Sequence, residues 1–534
     1  VNRPDFLKRA DWIVAVLLSV LSIFLLVVRI THAGALWRDE VAVVNLARMP
    51  SVPEIAANFQ HEAFPVPFPL FVRAYTNLFG TSDLALRTFG FIAGLAVLTA
   101  IWVSARLVSR GPPVLALALL GLNTTFLFWG TTVRGYGFGS ALIVLASGLL
   151  ASLISEVLTS RIIAAILVSL AAVQCLVHNL ALIAATVAAA AIVCLVQHDF
   201  KRLVIFLSVL GLCLLSFIPY LSAYSSSWSQ VVEFPVTVHF LWNQFNFALG
   251  NPNRAFAIFW HVAFLVLLAA AIWRLFRTRS EAGTPERSIL LFALLAAIAA
   301  PVAYGVFLGT LSYLARSWYF LALISFLAIA LDSLAAALSS SMSLRIGRLT
   351  FAVIALIILP INAWPKIHER QTNIDIVAEK IASEAKPSDL IVLAPWQYAI
   401  SFNRYYHRAT PEITLPAIAD LRVHRYDLFR EKMIAEHPID DVLEKIRQTL
   451  AAGNRVWIVG GIKLPPEGRP PRSLPPAPNN HAGWDNVAYS DAWMEQLGVF
   501  VREHSGRGQT VPLPNAGPIN PFEDVPLMAI DGWQ

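Results

Sequence analysis

Charge is scarce in this chain. Only 14% of its 534 residues are Asp, Glu, Lys or Arg, where an ordinary soluble domain carries about a quarter, and a surface that poor in charge does not suit a soluble enzyme. Cysteine is scarcer still: Cys175, Cys194 and Cys213 are all there is, and each falls inside an apolar run. The polar stretches therefore lack a thiol for a disulfide or a zinc cluster. A nucleotide fingerprint is missing too, because Gly460-Gly461 is followed by neither a Lys-Ser/Thr pair nor a glycine spacing and reads as a turn. The net charge is +6, yet the Lys and Arg residues are dispersed at the ends of apolar runs without a basic stripe, which excludes a nucleic-acid surface. No internal repeat is evident.

What the chain does have is hydrocarbon. Apolar residues make up 57% of it, and its mean hydropathy of +0.62 averages two unlike parts. Residues 10–365 hold nearly all the apolar runs; residues 366–534 read like a soluble domain. A spanning helix takes roughly 20 apolar residues, and about eleven segments meet that criterion: 12–30, 84–108, 113–132, 137–157, 161–178, 180–197, 202–222, 255–275, 288–311, 317–338 and 347–364. The expected architecture is a polytopic α-helical membrane module over 1–365, with a first outer loop at 31–83, followed by a periplasmic α/β domain over 366–534.

Positive residues orient such a module. A cytoplasmic amino terminus puts Arg3, Lys8 and Arg9 inside, followed by Arg106, Arg110, Arg161, Lys201, Arg202, Arg274, Arg277, Arg279, Arg287, Arg345 and Arg348. The other connections face out, and an odd number of spans delivers the carboxy-terminal part to the outer face. The basic start, the apolar run and Ala33-Gly34-Ala35 also fit a cleavable signal, but the run is long for one, so a retained anchor is expected.

Two polar regions then lie outside. The loop 31–83 is long for a connector. It opens with Trp37-Arg38-Asp39-Glu40, passes His61-Glu62-Ala63-Phe64-Pro65, and ends in an amphipathic stretch closed by Gly80 that suits a membrane surface. Beyond the last span, a helix over 373–386, a buried strand over 389–394, a helix over 439–452 and a strand over 455–461 predict a small α/β layer with partly parallel strands. The proline-rich 464–480 reads as a loop, and the tail 505–534 holds no ligand signature.

The candidate chemistry gathers at the outer rim. Asp39 and Glu40 are adjacent acids a few residues from hydrocarbon, where a carboxylate is costly unless paired or used. Neighbours on a helix point about 100° apart, so the two would do different jobs; the bland alternative is an acidic first turn favoured by the helix dipole. Arg134 and Arg316 sit in short outer connections otherwise free of charge and fit anion binding better than mere snorkelling. His61, ahead of the prolines, is on its own an ordinary surface histidine.

Taken together, these features resemble the GT-C membrane glycosyltransferases, in particular the bacterial branch of glycosyltransferase family 39 type, related to protein O-mannosyltransferases and to the aminoarabinose transferase of lipid A. The resemblance rests on Asp39-Glu40, the His61 and proline segment leading to Phe79-Gly80, Arg87 heading the second span, Arg134-Gly135-Tyr136, Arg316-Ser317-Trp318-Tyr319, and the shift to a soluble part near Asn373. It covers 10–365 well and the remainder loosely. It implies inverting transfer of a sugar from a polyprenyl-phosphate donor to a glycan, glycolipid or protein acceptor at the periplasmic face of the bacterial inner membrane. Asp39 would be the base, Glu40 its helper or alternative, and His61, Arg87, Arg134, Tyr136, Arg254, Arg316 and Tyr319 the substrate contacts. The sequence departs from relatives in placing Glu62-Ala63-Phe64 between His61 and the first proline, and in offering no acid beside Arg134. No cofactor and no obligatory metal are expected, since hard cations want several oxygen ligands. The competing class is a transporter or lipid flippase, which would place ionisable groups near the midplane, often in repeated halves.

Overall fold

A computed structural model of the chain describes residues 3–108, 111–223, 236–250, 254–278, 284–311, 314–339 and 341–534. Arg110 and Arg279, both used above to orient the chain, lie outside the described residues. Among those described, nine helices are long and apolar enough to cross a membrane, from Phe6–His32 to Met342–Ile367. This is a multi-pass membrane protein. Two of the eleven expected segments fall short of that criterion. Residues 161–178 carry a helix of 17 residues, Thr159–Cys175, and 113–132 is broken.

The break has local causes. Pro112 and Pro113 precede a single helical turn, Val114–Ala116, which widens into a π turn at Leu117–Gly121 before a new helix, Thr124–Trp129. Asn123 caps that helix by accepting from the Phe126 amide at 3.1 Å, while its own amide nitrogen donates to the carbonyls of Ala248 and Leu249 at 3.2 and 2.8 Å. Asp332, from the Leu321–Ala337 helix, accepts from the amides of Leu115 and Ala116 at 2.9 and 3.3 Å. Ionisable groups are thus not confined to the rim. Asp332 and Arg29 are both buried within spans, but their partners are main-chain groups, Arg29 donating to the carbonyls of Ile367 and Glu369. They hold broken backbone, the role lipid cannot fill.

The loop after the first span folds into the short helices Arg38–Ala47 and Val52–Asn58, a 3-10 turn at Phe59–His61 and the amphipathic helix Pro67–Phe79. The residues after Ile367 build a five-stranded sheet from β1 (Leu390–Ala394), β2 (Glu412–Thr414), β3 (Val456–Gly460), β4 (Ser505–Thr510) and β5 (Leu527–Trp533), ordered β2-β1-β3-β5-β4. Strand β1 is parallel to β2 and β3, whereas β5 is antiparallel to β3 and β4. Every residue of β1 and β3 is buried, because helices cover both faces. Ile391 and Leu393 pack with Ile374, Val377 and Ile381 on one side, and Leu390 and Val392 face Val442, Ile446 and Leu450 on the other. Gly460 ends β3 with φ +99°, and a Cβ there would lie 1.9 Å from the Ala394 carbonyl, so no other residue fits the turn. The tail, which carried no signature, supplies two of the five strands.

The sheet unit is clamped to the loop side of the bundle. Arg404 pairs with Asp83 at 2.7 Å, Tyr405 donates to the same carboxylate at 2.9 Å and accepts from the Leu36 amide at 2.8 Å, and Arg422 pairs with Glu54 at 3.0 Å.

Candidate active site

Trp37 has an extended backbone that opens the Arg38–Ala47 helix, and the next three residues point three ways. Glu40 turns inward and is fully buried. Its carboxylate accepts from Arg87 Nη1 at 2.9 and 3.1 Å, from the Val133 amide at 2.9 Å and from the Trp37 amide at 3.4 Å. Arg87 spends its remaining donors on the carbonyls of Gly34 and Ala35 at 3.2 and 2.6 Å. Both residues are consumed by the protein. For Glu40 to act on a substrate, or Arg87 to bind one, this buried cluster would have to break. The Val133 bond sets the position of the next residue, Arg134, which stands at the start of the Gly135–Ser155 helix. That helix packs closely here: a Cβ on Gly137 would sit 2.1 Å from the Gly130 carbonyl.

Asp39 turns the other way and keeps 20% of its side chain exposed. Three groups face its carboxylate: His424 Nε2 at 3.6 Å, Arg38 Nε at 3.7 Å and Arg134 Nη2 at 4.0 Å. All three are beyond hydrogen-bond reach, so the carboxylate has charge around it and lone pairs still to offer. Arg134 is buried and anchored by Nη1 to the Asp39 carbonyl at 3.1 Å and to Glu62 at 2.8 Å, with its guanidinium over the Phe64 ring at 4.6 Å. Burial alone would lower its pKa, but Asp39, Tyr136 and Glu62 beside it raise it. Arg134 stays a cation.

The Asp39 and Arg134 pair is closed into a ring by two residues that the sequence did not single out for it. Glu62, 2% exposed, accepts from Arg134 through Oε2, and through Oε1 from the backbone amide and Nδ1 of His424, at 3.1 and 2.8 Å. Burial pushes the Glu62 carboxyl up, yet His424 and Arg134 outweigh it and hold it below the usual carboxylate range. Glu62 is recognisable in sequence only as the acid interrupting the expected prolines; His424 lies in the irregular segment after β2, where no periodicity marks it.

A second new group is Glu523, from the tail. Fully buried, it accepts from the Arg38 amide at 3.0 Å and from Ser401 Oγ at 2.7 Å. Burial pushes its carboxyl up to about 7, against the pull of Arg38. Its neighbour Phe522 lies edge-on to Trp318 at 5.0 Å and carries the Arg316 guanidinium 5.2 Å above its ring. Trp37, Trp129 and Trp318 form an aromatic wall, the last two 4.2 Å apart. Tyr136 and Tyr319 face one another at 6.0 Å. Of the expected contacts, Arg134 faces the Asp39 carboxylate, Tyr136 and Tyr319 face each other, and Arg316 lies over Phe522. His61 and Arg254 do not join this set. His61 is buried beside Asp427 at 3.9 Å, burial holding its pKa below the usual value despite that acid; Arg254 is exposed at the start of the Arg254–Arg277 helix.

No family model matches the sequence, and no curated protein matches it. Solved structures do. ArnT from Cupriavidus metallidurans bound to undecaprenyl phosphate aligns over 84% of this chain and 92% of its own, with 13% identity and a TM-score of 0.51. The same protein in the apo state gives 13% identity, 84% and 93% coverage and a TM-score of 0.50. The Archaeoglobus fulgidus oligosaccharyltransferase tethered with an acceptor peptide aligns over 97% of this chain and 74% of its own, with 11% identity and a TM-score of 0.49. The chain shares the fold of ArnT.

Proposed function

We propose that the chain is an integral-membrane glycosyltransferase that moves a sugar from a polyprenyl-phosphate donor to a hydroxyl of a glycolipid, polysaccharide or protein acceptor. The observation that carries this reading is the Asp39 carboxylate, part exposed and within 4.0 Å of two guanidinium groups and an imidazole, in a fold shared with a protein crystallised with undecaprenyl phosphate. Asp39 is the base. As the acceptor oxygen attacks the anomeric carbon, Asp39 takes its proton, and the bond to the phosphate oxygen breaks with its electron pair leaving on the phosphate. One displacement inverts the centre. A fixed base of this kind contributes about 10²–10⁴-fold, and cations near the leaving oxygens stabilise the charge that develops there. Arg134 and Arg316 fill that role, with Tyr136 and Tyr319 as substrate contacts. Glu40 and Arg87 hold the Asp39 helix against the Arg134 turn.

In this reading, residues 1–365 form the catalytic module and 366–534 a lid or acceptor platform. Both the 31–83 loop and that platform face the periplasm, with the amino terminus in the cytoplasm and the bundle in the bacterial inner membrane. No cofactor and no obligatory metal are required in this reading. Mass analysis of envelope lipids and glycans tests the proposal in cells with and without the gene. Loss of one sugar-bearing species in the deletion, restored by the intact chain, is expected. Identical profiles would overturn it, and a lipid-linked sugar redistributed across the membrane without a new product would favour a flippase.

A further inference from the structure

The ring nitrogens of His424 face two different carboxylates, and the distances differ in kind. Nδ1 is 2.8 Å from Glu62 Oε1, a hydrogen bond; Nε2 is 3.6 Å from Asp39 Oδ1, which is not one. Glu62 is buried, holds two further donors and is kept below the usual carboxylate range, so it is ionised and only accepts. The proton on Nδ1 is thereby assigned, and Nε2 faces Asp39 Oδ1 at a separation with no hydrogen bond between them. The ring is fixed in place: its own main-chain amide is tied to the same Glu62 oxygen at 3.1 Å, Tyr426 stacks on it at 12° and Trp396 meets it edge-on.

We propose that His424 is a positioning residue for Asp39, whose Nε2 accepts a hydrogen bond from that carboxyl once it has taken the acceptor proton. This rests on Asp39 acting as the base. The hydroxyl O–H bond breaks, the proton passes to Asp39 Oδ1, and the new Asp39 O–H donates to Nε2 while Glu62 balances charge gathering on the ring through Nδ1. The contact is absent in the resting state and forms as the proton moves. An interaction made only on the way to the transition state raises kcat and leaves substrate binding alone. The four-membered ring also places this group on the sheet unit, so the base in the membrane module works at full rate only with that unit docked.

The test uses the purified full chain in lipid nanodiscs. A lipid extract from cells lacking the protein supplies donor and acceptor, and released undecaprenyl phosphate is quantified by mass. His424→Asn keeps an amide donor for Glu62 and has nothing at the Nε2 position. It is expected to lose at least tenfold in kcat, with half-saturating extract unchanged and the sheet unit as protected from protease as in the parent. Full turnover by His424→Asn would overturn the proposal. Should that variant undock, His424→Ala decides: added imidazole is expected to restore turnover, and no restoration counts against the role. The Asp39→Asn control separates the two readings, since full turnover there removes Asp39 as base, whereas an inactive Asp39→Asn beside an unaffected His424→Asn removes only His424.

Discussion

Adjacent residues in one helical turn can carry opposite fates, and the split between Asp39 and Glu40 turns on what each finds opposite it. Glu40 meets Arg87 in a site that water does not reach, with 0% of its side chain exposed. Removing one member leaves the other charged and buried, so Arg87→Ala or Glu40→Gln is expected to cost roughly 3–5 kcal/mol. Replacing both with apolar residues of similar volume should return part of that loss, since the Val133 amide and the Gly34 and Ala35 carbonyls still lose their partners. Thermal unfolding of the three purified variants checks the pattern, and equal melting temperatures for the single and double variants would contradict it. Helical geometry alone predicts that the two acids point apart, and Asp39 rather than Glu40 keeps an exposed edge. Sequence reasoning could not find the Arg87 partner, because a cation at a span end looks alike whether it faces a ligand or a buried acid 47 positions away. It missed His424 and Glu523 because a side chain delivered by an irregular loop leaves no periodic trace.

At the scale of elements, the joint between the outer loop and the sheet unit runs through Glu62, which ties Arg134 in the bundle to His424 beside the sheet. Its carboxyl lies below the ordinary value of 4.5 when folded, so the folded chain binds fewer protons than the unfolded one near that pH. The stability it contributes is complete above about 4.5 and fades as the pH falls through the depressed folded value. Protection from hydrogen exchange across residues 415–425, relative to the intrinsic rate at each pH, is expected to be high at about pH 7 and lower well below about pH 4; equal protection at both would show that Glu62 does not hold the joint. Long apolar runs made the spans legible, and short continuous apolar runs did the same for β1 and β3. The break at 113–132 was hidden because a buried helix in three pieces is as hydrophobic as a straight one, its breaks satisfied by Asn123 and Asp332 from elsewhere in the chain. Strands β4 and β5 were hidden because β4 is exposed and glycine-containing and β5 is antiparallel and brought in by the tail.

As a whole, the molecule brings three distant stretches of chain to one place: the loop after the first span, the turn before the Gly135–Ser155 helix, and the sheet unit. Salt bridges from Arg404 and Arg422 hold the sheet unit over the helix that bears Asp39, and the ionised side chains meet where bundle and sheet unit join. That placement favours chemistry at the membrane rim over passage through the bilayer, where the buried Asp332 and Arg29 hydrogen-bond to backbone. The decisive measurement is transfer by the Asp39→Asn chain in nanodiscs, scored by release of undecaprenyl phosphate alongside its unfolding temperature. A folded protein slowed about 10²-fold or more is the expected result; a folded Asp39→Asn chain that transfers at the parent rate would contradict the account at its centre.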